Sequence, residues 1–261
     1  MDDFGPDLIA RPEFQAVNRL LESPDASAAE TLQQLLQARE DLQRSQKEPR
    51  AKIDGNHAWF TMLSLVEIAS LTPAAKQTKL VEFVSQLQKT PVTDPTTGET
   101  PTAIDLNLWT DLPYLRVYLG DRFSFNYSRQ NPPSQIEEWE NRNAFMAQLT
   151  AAADHLGHAM DFSIYGLYTF EKAFEEDQPA EAVRTACLWF IFAGERLWEN
   201  CQARRVFGDE DDTPRRGFDL ERWQLWKERV SAAKLVLTEV DSQELIAKAM
   251  AEIGKVEAQG I

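Results

Sequence analysis

The sequence predicts an all-α fold: a single domain of about eight or nine helices around a central buried helix. Three observations lead to this prediction. Apolar residues recur with the period of a helix through most of the 261-residue chain. The segment 186–198 is apolar on nearly every side. No run of strand length alternates apolar and polar residues.

The N-terminal part, 1–89, divides into helices separated by proline-containing or polar breaks. Ser27 and Glu30 form a capping box at the start of one helix. Asp54 or Asn56 is expected to cap the next. The predicted helices span about 11–21, 27–45, 57–71 and 73–89.

The segment 90–107 is rich in Thr, Pro and Gly and predicts a loop. It is long for a connection inside a compact domain, so it is a lid, a disordered tether or a domain seam. The preferred interpretation is a mobile surface loop within one domain that spans 1–261.

The remainder, 108–261, is expected to form the C-terminal helical core. Asp219 is expected to cap a tryptophan-rich helix. The loop 206–218 is expected to be exposed, with its acidic run 209–212 as a solvated turn. The predicted helices span about 112–119, 180–205, 220–230 and 242–256, together with one helix over 134–156 that is interrupted at 161–163 and resumes over 164–175.

The stretch 180–230 organises this core and holds four of the seven tryptophans. Gly194 interrupts its apolar helix, which indicates close approach of a second helix or a ligand. Glu195 follows Ile191 and Phe192 at helical spacing, so it shares their apolar face. A carboxylate on such a face must be paired, protonated or placed at a water-filled site.

Two interpretations of Glu195 follow. In the structural one it pairs with Arg196, Arg222 or Arg229 and joins two helices. In the second it lies at the base of a pocket for a small apolar molecule, as acid/base or anchor, and Arg222 binds an anion or carboxylate. Glu195 and Arg222 are then the weak catalytic candidates. The predicted pocket walls are Trp189, Trp198, Trp223, Trp226 and Tyr165.

Charge and composition narrow the function classes. The net charge of −15 argues against nucleic acid and anionic membranes as partners and favours basic ones. No apolar run is long enough to span a membrane, and the N-terminus lacks a signal-peptide pattern. Cys187 and Cys201 lie about 21 Å apart along one helix and cannot pair. These features predict a cytoplasmic protein.

No motif is diagnostic of one activity. The chain lacks GxSxG, GxGxxG and GxxxxGK[ST], so no cofactor is expected. His155 and His158 lie between Asp154 and Asp161, but the spacing matches no established metal motif, and no metal site is expected. His57 is interpreted as a cap or a packed side chain.

Four stretches carry a family resemblance: EWENRNAFMAQLTA (138–151), DFSIYGLYTFEKAFE (161–175), ACLWFIFAGERLW (186–198) and GFDLERWQLWKERV (217–230). Here the chain resembles a family of fungal helical proteins of unknown function. The resemblance implies a fungal, cytoplasmic, all-helical protein. It implies no established activity, cofactor or catalytic residue.

Two functions remain open at this point. The first is binding of a small apolar molecule in the aromatic pocket, which extends to an accessory enzyme of fungal metabolism. The second is a non-enzymatic adaptor that binds protein partners through an acidic helical surface. The adaptor hypothesis predicts an exposed apolar patch or a symmetric dimer face, and a homodimer is compatible with it.

Overall fold

The computed structural model describes residues 5–45, 48–123, 131–175, 179–208 and 216–259. These residues contain eleven α-helices, and their four strands are each two residues long. The all-α prediction is therefore confirmed, with more helices than predicted. Contacts within the chain divide it into two compact units, Met1–Ser124 and Phe125–Ile261. Each unit is described by itself below.

The helices of the first unit are α1 Gly5–Ile9, α2 Pro12–Glu22, α3 Ala28–Arg44, α4 Arg50–Leu71, α5 Thr78–Gln88 and α6 Leu115–Asp121. The predicted capping box opens α3, because Ser27 Oγ accepts from Glu30 N at 3.2 Å and Glu30 Oε2 accepts from Ser27 N at 3.1 Å. The cap predicted for α4 is wrong. That helix starts directly after Pro49, and Asp54 lies inside it.

Helix α4 is the core of the first unit. Its residues from Thr61 to Val66 are consecutively buried, so no side of this stretch faces solvent. Helices α2, α3 and α6 pack against it. A buried ion pair ties α3 to α4: Arg39 donates to both oxygens of Asp54, at 2.8 and 3.1 Å. Such a bidentate pair fixes direction as well as distance.

The segment 90–107 contains a short antiparallel hairpin of β1, Thr102–Ala103, and β2, Leu106–Asn107. Strand β1 packs on α4. Nearer its start, Asp94 forms an ion pair with Arg50 at 3.4 Å. The segment therefore has local structure, and its mobility stays a prediction.

The second unit is built around α9. Its helices are α7 Pro133–Ala151, α8 Ser163–Phe170, α9 Ala180–Gln202, α10 Leu220–Ala233 and α11 Val240–Ala258. The run Thr185–Phe190 of α9 is consecutively buried, and the other four helices pack against this helix. The predicted central buried helix is confirmed. A second hairpin pairs β3, Val206–Phe207, with β4, Arg216–Gly217. The predicted acidic turn, 209–212, lies outside the described residues.

Helix α9 is not continuous. Ala193 has non-helical backbone angles, φ −125° and ψ 15°, and so kinks the helix. At the next residue, Gly194, an added Cβ would lie 3.1 Å from Glu252 Cγ on α11. The close neighbour predicted for Gly194 is therefore a second helix.

Two glycines test the packing of this unit. A Cβ on Gly166 would lie 2.9 Å from Cε3 of the fully buried Trp189 ring, whereas nothing lies within 4 Å of a Cβ on Gly254. We expect Gly166→Ala to lower the free energy of unfolding by about 1–3 kcal/mol through overpacking. Gly254→Ala should raise it by about 0.5–1 kcal/mol. Urea unfolding of both variants measures this, and equal stability of the two would contradict the packing described.

Candidate functional site

Arg222, one of the three arginines predicted to pair with Glu195, has different partners. Arg222 Nη2 donates to Glu175 Oε1 at 2.7 Å and to Glu171 Oε1 at 3.0 Å, and Nη1 donates to Gly217 O at 2.6 Å. Both glutamates belong to a π-helical turn, Glu171–Glu175, that continues α8. Burial disfavours the charge on Arg222, but the hydrogen bonds that it donates to Glu175 and Glu171 outweigh this effect and raise its pKa.

Glu195 itself is exposed, so the predicted burial and the predicted pair with Arg222 are wrong. The prediction assumed that the apolar face that Glu195 shares with Ile191 and Phe192 is buried. Both of these residues are only partly buried, so this side of α9 faces solvent at Glu195. Glu195 contributes only as the last of several causes to the raised pKa of Lys255, of which the hydrogen bond that Lys255 donates to Glu252 is the largest. Catalytic roles for Glu195 and Arg222 stay predictions.

The tryptophans predicted to line a pocket form part of a closed aromatic cluster. Trp189 and Trp226 are 0% exposed, and Trp223 is 2% exposed. The Phe170 ring centroid lies 4.6 Å from that of Trp226 and 4.7 Å from that of Phe190. Side chains therefore occupy the space beside these indoles. Ring contacts at such distances stabilise the packing itself.

The indole N–H groups are used inside the unit. Trp189 donates to Asn143 Oδ1 at 3.2 Å, Trp226 to Glu175 Oε1 at 2.9 Å, and Trp223 to Glu257 Oε1 at 3.0 Å. Each bond ties the indole to a different helix or turn of the same unit. These three tryptophans therefore contribute to the packing of the unit, and their role in binding a ligand stays a prediction.

The other two predicted wall residues are less enclosed. Trp198 is partly exposed, and its ring centroid lies 5.0 Å from that of Trp223. Tyr165 is also partly exposed, but its ring neighbours are Phe162 and Tyr168, at 6.1 and 6.2 Å. Trp198 therefore joins the tryptophan cluster, while Tyr165 lies within a separate group of rings.

Arg222 also lines an open depression of about 430 Å³. Phe218 forms part of its lining and also contacts the Trp226 ring, at 5.8 Å between centroids. The full lining is Arg204, Val206, Gly217, Phe218, Asp219, Leu220, Glu221 and Arg222. This lining offers a ligand apolar contact as well as positively and negatively charged groups.

The two cysteines, and Asp161 at the end of the predicted histidine cluster, occupy structural positions. Burial raises the pKa of the Cys187 thiol to about 12 and that of Cys201 even further, so neither supplies a thiolate near neutral pH. Asp161 is 3% exposed and pairs with Arg205 at 2.5 Å. Burial opposes its charge, but hydrogen bonds from Ser163 and Gly157 outweigh it and lower its pKa. Among the described residues, no group of three acidic, His or Cys side chains is placed to hold a metal ion.

The first unit contains a buried pair that sequence reasoning missed. His57 Nδ1 lies 2.6 Å from Glu13 Oε1, and His57 Nε2 lies 3.1 Å from Leu35 O. A carbonyl only accepts, so Nε2 is the donor to Leu35 O. The two side chains are 0% and 1% exposed, which keeps substrate away from them. The pair joins α2, α3 and α4, so His57 is a packed side chain.

The segment 104–114, from the turn of the first hairpin to the start of α6, is strained. Five non-glycine residues between 104 and 114 have left-handed backbone angles, and each costs about 1–3 kcal/mol. They are Ile104, Asp105, Trp109, Leu112 and Tyr114, with φ of 47°, 61°, 69°, 50° and 71°. Trp109, fully buried with its ring centroid 5.7 Å from that of His57, anchors the segment. Strained segments of this kind cluster at binding sites and switches.

This strained segment leads into an exposed aromatic face, defined here as Trp59, Tyr114 and Val117. Trp59 on α4 is 39% exposed and Val117 on α6 is 45% exposed. The Trp59 ring packs edge-on against Tyr114 and Tyr118, with centroids 5.2 and 5.1 Å apart. Burial raises the pKa of Tyr118, which stays a neutral phenol. A large ring is thus held rigidly at the surface.

Comparison with known families gives one match. Residues 59–230 match the family described as "Protein of unknown function (DUF3632)". The chain belongs to this family. The match confirms an uncharacterised family and extends it upstream of the stretches that suggested the resemblance, as far as Trp59. No curated protein and no solved structure matches the chain.

The DUF3632 match includes the aromatic face, the strained segment, α9 and most of α10. The family description names no activity, so site roles rest on geometry alone. Within the described residues, no helix combines the length and apolar character needed to cross a bilayer.

Some missed residues left a signal in the sequence and others did not. Glu13 lies four residues before Val17, on the buried stripe of α2, and so announces a buried partner. Glu171 and Glu175 have the same spacing on one face. Apart from Asp105, the left-handed residues carry no signal, because glycine, asparagine or aspartate would ordinarily mark such positions.

The pairing of Arg222 is tested by two matched substitutions. Glu175→Gln removes the charge that accepts from Arg222 and Trp226, and we expect a loss of about 1–3 kcal/mol in the free energy of unfolding. Glu195→Gln removes the same charge at an exposed position and should change it by less than about 0.5 kcal/mol. Thermal and urea unfolding give both values. If Glu195→Gln lost more unfolding free energy than Glu175→Gln, the predicted pair between Glu195 and Arg222 would be supported instead.

Proposed function

We propose that the chain is a non-enzymatic protein-interaction module that docks a basic segment of a partner on the aromatic face. The observation that carries the proposal is the exposed Trp59 ring, held in place by Tyr114 and Tyr118. Tryptophan and tyrosine dominate the energetically important positions of protein interfaces. A ring that is already fixed loses little entropy when a partner covers it.

The strained segment supports this role. Backbone strain persists only where surrounding structure enforces it. Here the enforcement comes from buried Trp109 and from Asp111, whose Oδ2 accepts from Asn107 N at 2.8 Å. Tyr114, the last left-handed residue, leads directly into α6 and contacts Trp59. The strained backbone thus orients Tyr114 and, with it, the aromatic face.

Charge indicates a basic partner. The chain carries a net charge of −15. Exposed Asp121 lies four residues after Val117, so both are on the same side of α6. A Lys or Arg side chain can lie over the face of Trp59, where a cation is attracted to the ring, with a carboxylate nearby. The proposed ligand is therefore an amphipathic segment rich in Lys or Arg.

The test uses the full chain labelled with 5-fluorotryptophan, with the Trp59 fluorine resonance assigned through Trp59→Phe. The probe is a helical peptide of Leu and Lys, and the comparison peptide has Glu in place of Lys. We expect the Lys peptide to shift the Trp59 resonance saturably and the Glu peptide to leave it unchanged. Val117→Arg should weaken binding about tenfold, through lost apolar contact and added repulsion.

Leu156→Arg is the matched control, since Leu156 is 43% exposed and the change in net charge is the same. It should leave the affinity unchanged. No saturable shift, or equal weakening by both arginine variants, would reject the docking proposal.

A second candidate is binding of a small apolar molecule, which the depression beside Arg222 favours. Its volume of about 430 Å³ suits a small ligand, and Val206, Phe218 and Leu220 supply apolar contact. The same fluorine spectrum distinguishes this function. Anilinonaphthalene sulfonate bound there would shift Trp226, which contacts Phe218, and leave Trp59 unchanged.

We also propose a cellular location and a source for the protein. A cytoplasmic location is supported by two cysteines that are both buried free thiols. A fungal source is supported by the resemblance of the four quoted stretches.

A further inference from the structure

The connection from α10 to the first residue of α11 exposes three apolar side chains within six residues of sequence. Leu235 is 85% exposed, Val236 77% and Val240 79%. Single exposed apolar residues are ordinary, but a group of three in one turn forms a patch of the kind that marks interaction sites. This group is called the apolar turn below.

The apolar turn is held in one conformation. The Gln243 side-chain amide donates to the Lys234 carbonyl at 2.7 Å and also to the Leu237 carbonyl. Backbone N–H groups of Leu235 and Val236 donate to Ala232 and Ala233, each at 3.0 Å. The exposed side chains are therefore presented on fixed backbone, which reduces the entropy lost on association.

Charges of opposite sign flank the apolar turn. Lys234 precedes Leu235, while Glu239 and Asp241 lie on either side of Val240, and all three charged residues are exposed. Within the described residues none of them forms an ion pair within 4 Å, although Asp241 acts on Arg184 from a greater distance and helps to raise its pKa. One end of the turn is thus basic and the other acidic.

We infer that the occupant of this surface is a second copy of the chain. In a two-fold symmetric contact the same patch serves both subunits. Two apolar turns packed in opposite directions would bury their apolar side chains together. Lys234 of each copy would then lie opposite Glu239 and Asp241 of the other, so the surface is complementary to itself.

The size of the patch sets the strength of the contact. Three side chains cover much less than the ~800 Å² per partner of a standard stable interface. The dimer is therefore weak and depends on concentration. It goes beyond the docking function, because it uses a different unit and a different surface.

Sedimentation velocity of the full chain across micromolar concentrations tests the inference. We expect a reversible monomer–dimer equilibrium. Lys234→Glu and Glu239→Lys should each weaken it about tenfold, because each variant places like charges opposite one another. An equimolar mixture of the two variants should dimerise again, since each mixed contact then joins opposite charges. The double variant should also dimerise.

Glu221→Lys, an exposed charge reversal at the far end of α10, is the control and should leave dimerisation unchanged. All these positions are exposed, and thermal melting checks that each variant folds. A chain that stays monomeric throughout overturns the inference. So does a dimer that is indifferent to both reversals, or one that the mixture fails to restore.

Discussion

Two helices, α4 and α9, each contain a run buried on every side, and this enclosure determines where the polar side chains of each unit find partners. Because water does not reach such a run, a polar group beside it needs an internal partner. His57 on α4 meets Glu13 and the Leu35 carbonyl. Trp189 on α9 meets Asn143. These networks mark the places where helices cross and explain why buried polarity alone does not identify an active site.

The sequence predicts the parts of the fold that depend on local rules. The apolar character of 186–190 is enough to place the core of α9, and Ser27 and Asp219 cap the helices that they were expected to cap. Glu195 shows the limit of periodicity, because apolar neighbours such as Ile191 and Phe192 do not reveal whether another helix covers their side of α9. The acidic partners of Arg222 lie in a π-helical turn that is distant in sequence: Glu175 is 47 residues away and Glu171 is 51 residues away. Only tertiary contacts could reveal them.

The surfaces left open are more informative about function than the closed core. In the first unit, strained backbone orients Trp59 and its tyrosine neighbours at the surface. In the second, fixed backbone presents the apolar turn. A weak dimer would carry two aromatic faces, and two linked binding events raise overall affinity without any new contact. The aromatic face lies within the matched residues 59–230, whereas the apolar turn lies beyond them.

The structural role of the tryptophans in the second unit requires a closed aromatic core, and indole hydrogen exchange measures that closure directly. In D₂O, the indole N–H groups of Trp189 and Trp226, both 0% exposed, should exchange only on global unfolding, at a rate set by the free energy of unfolding. The indole of Trp59, which is 39% exposed, should exchange much faster. If Trp189 and Trp226 exchange as fast as Trp59, the core is open, and the predicted aromatic pocket would replace the structural role assigned to these tryptophans.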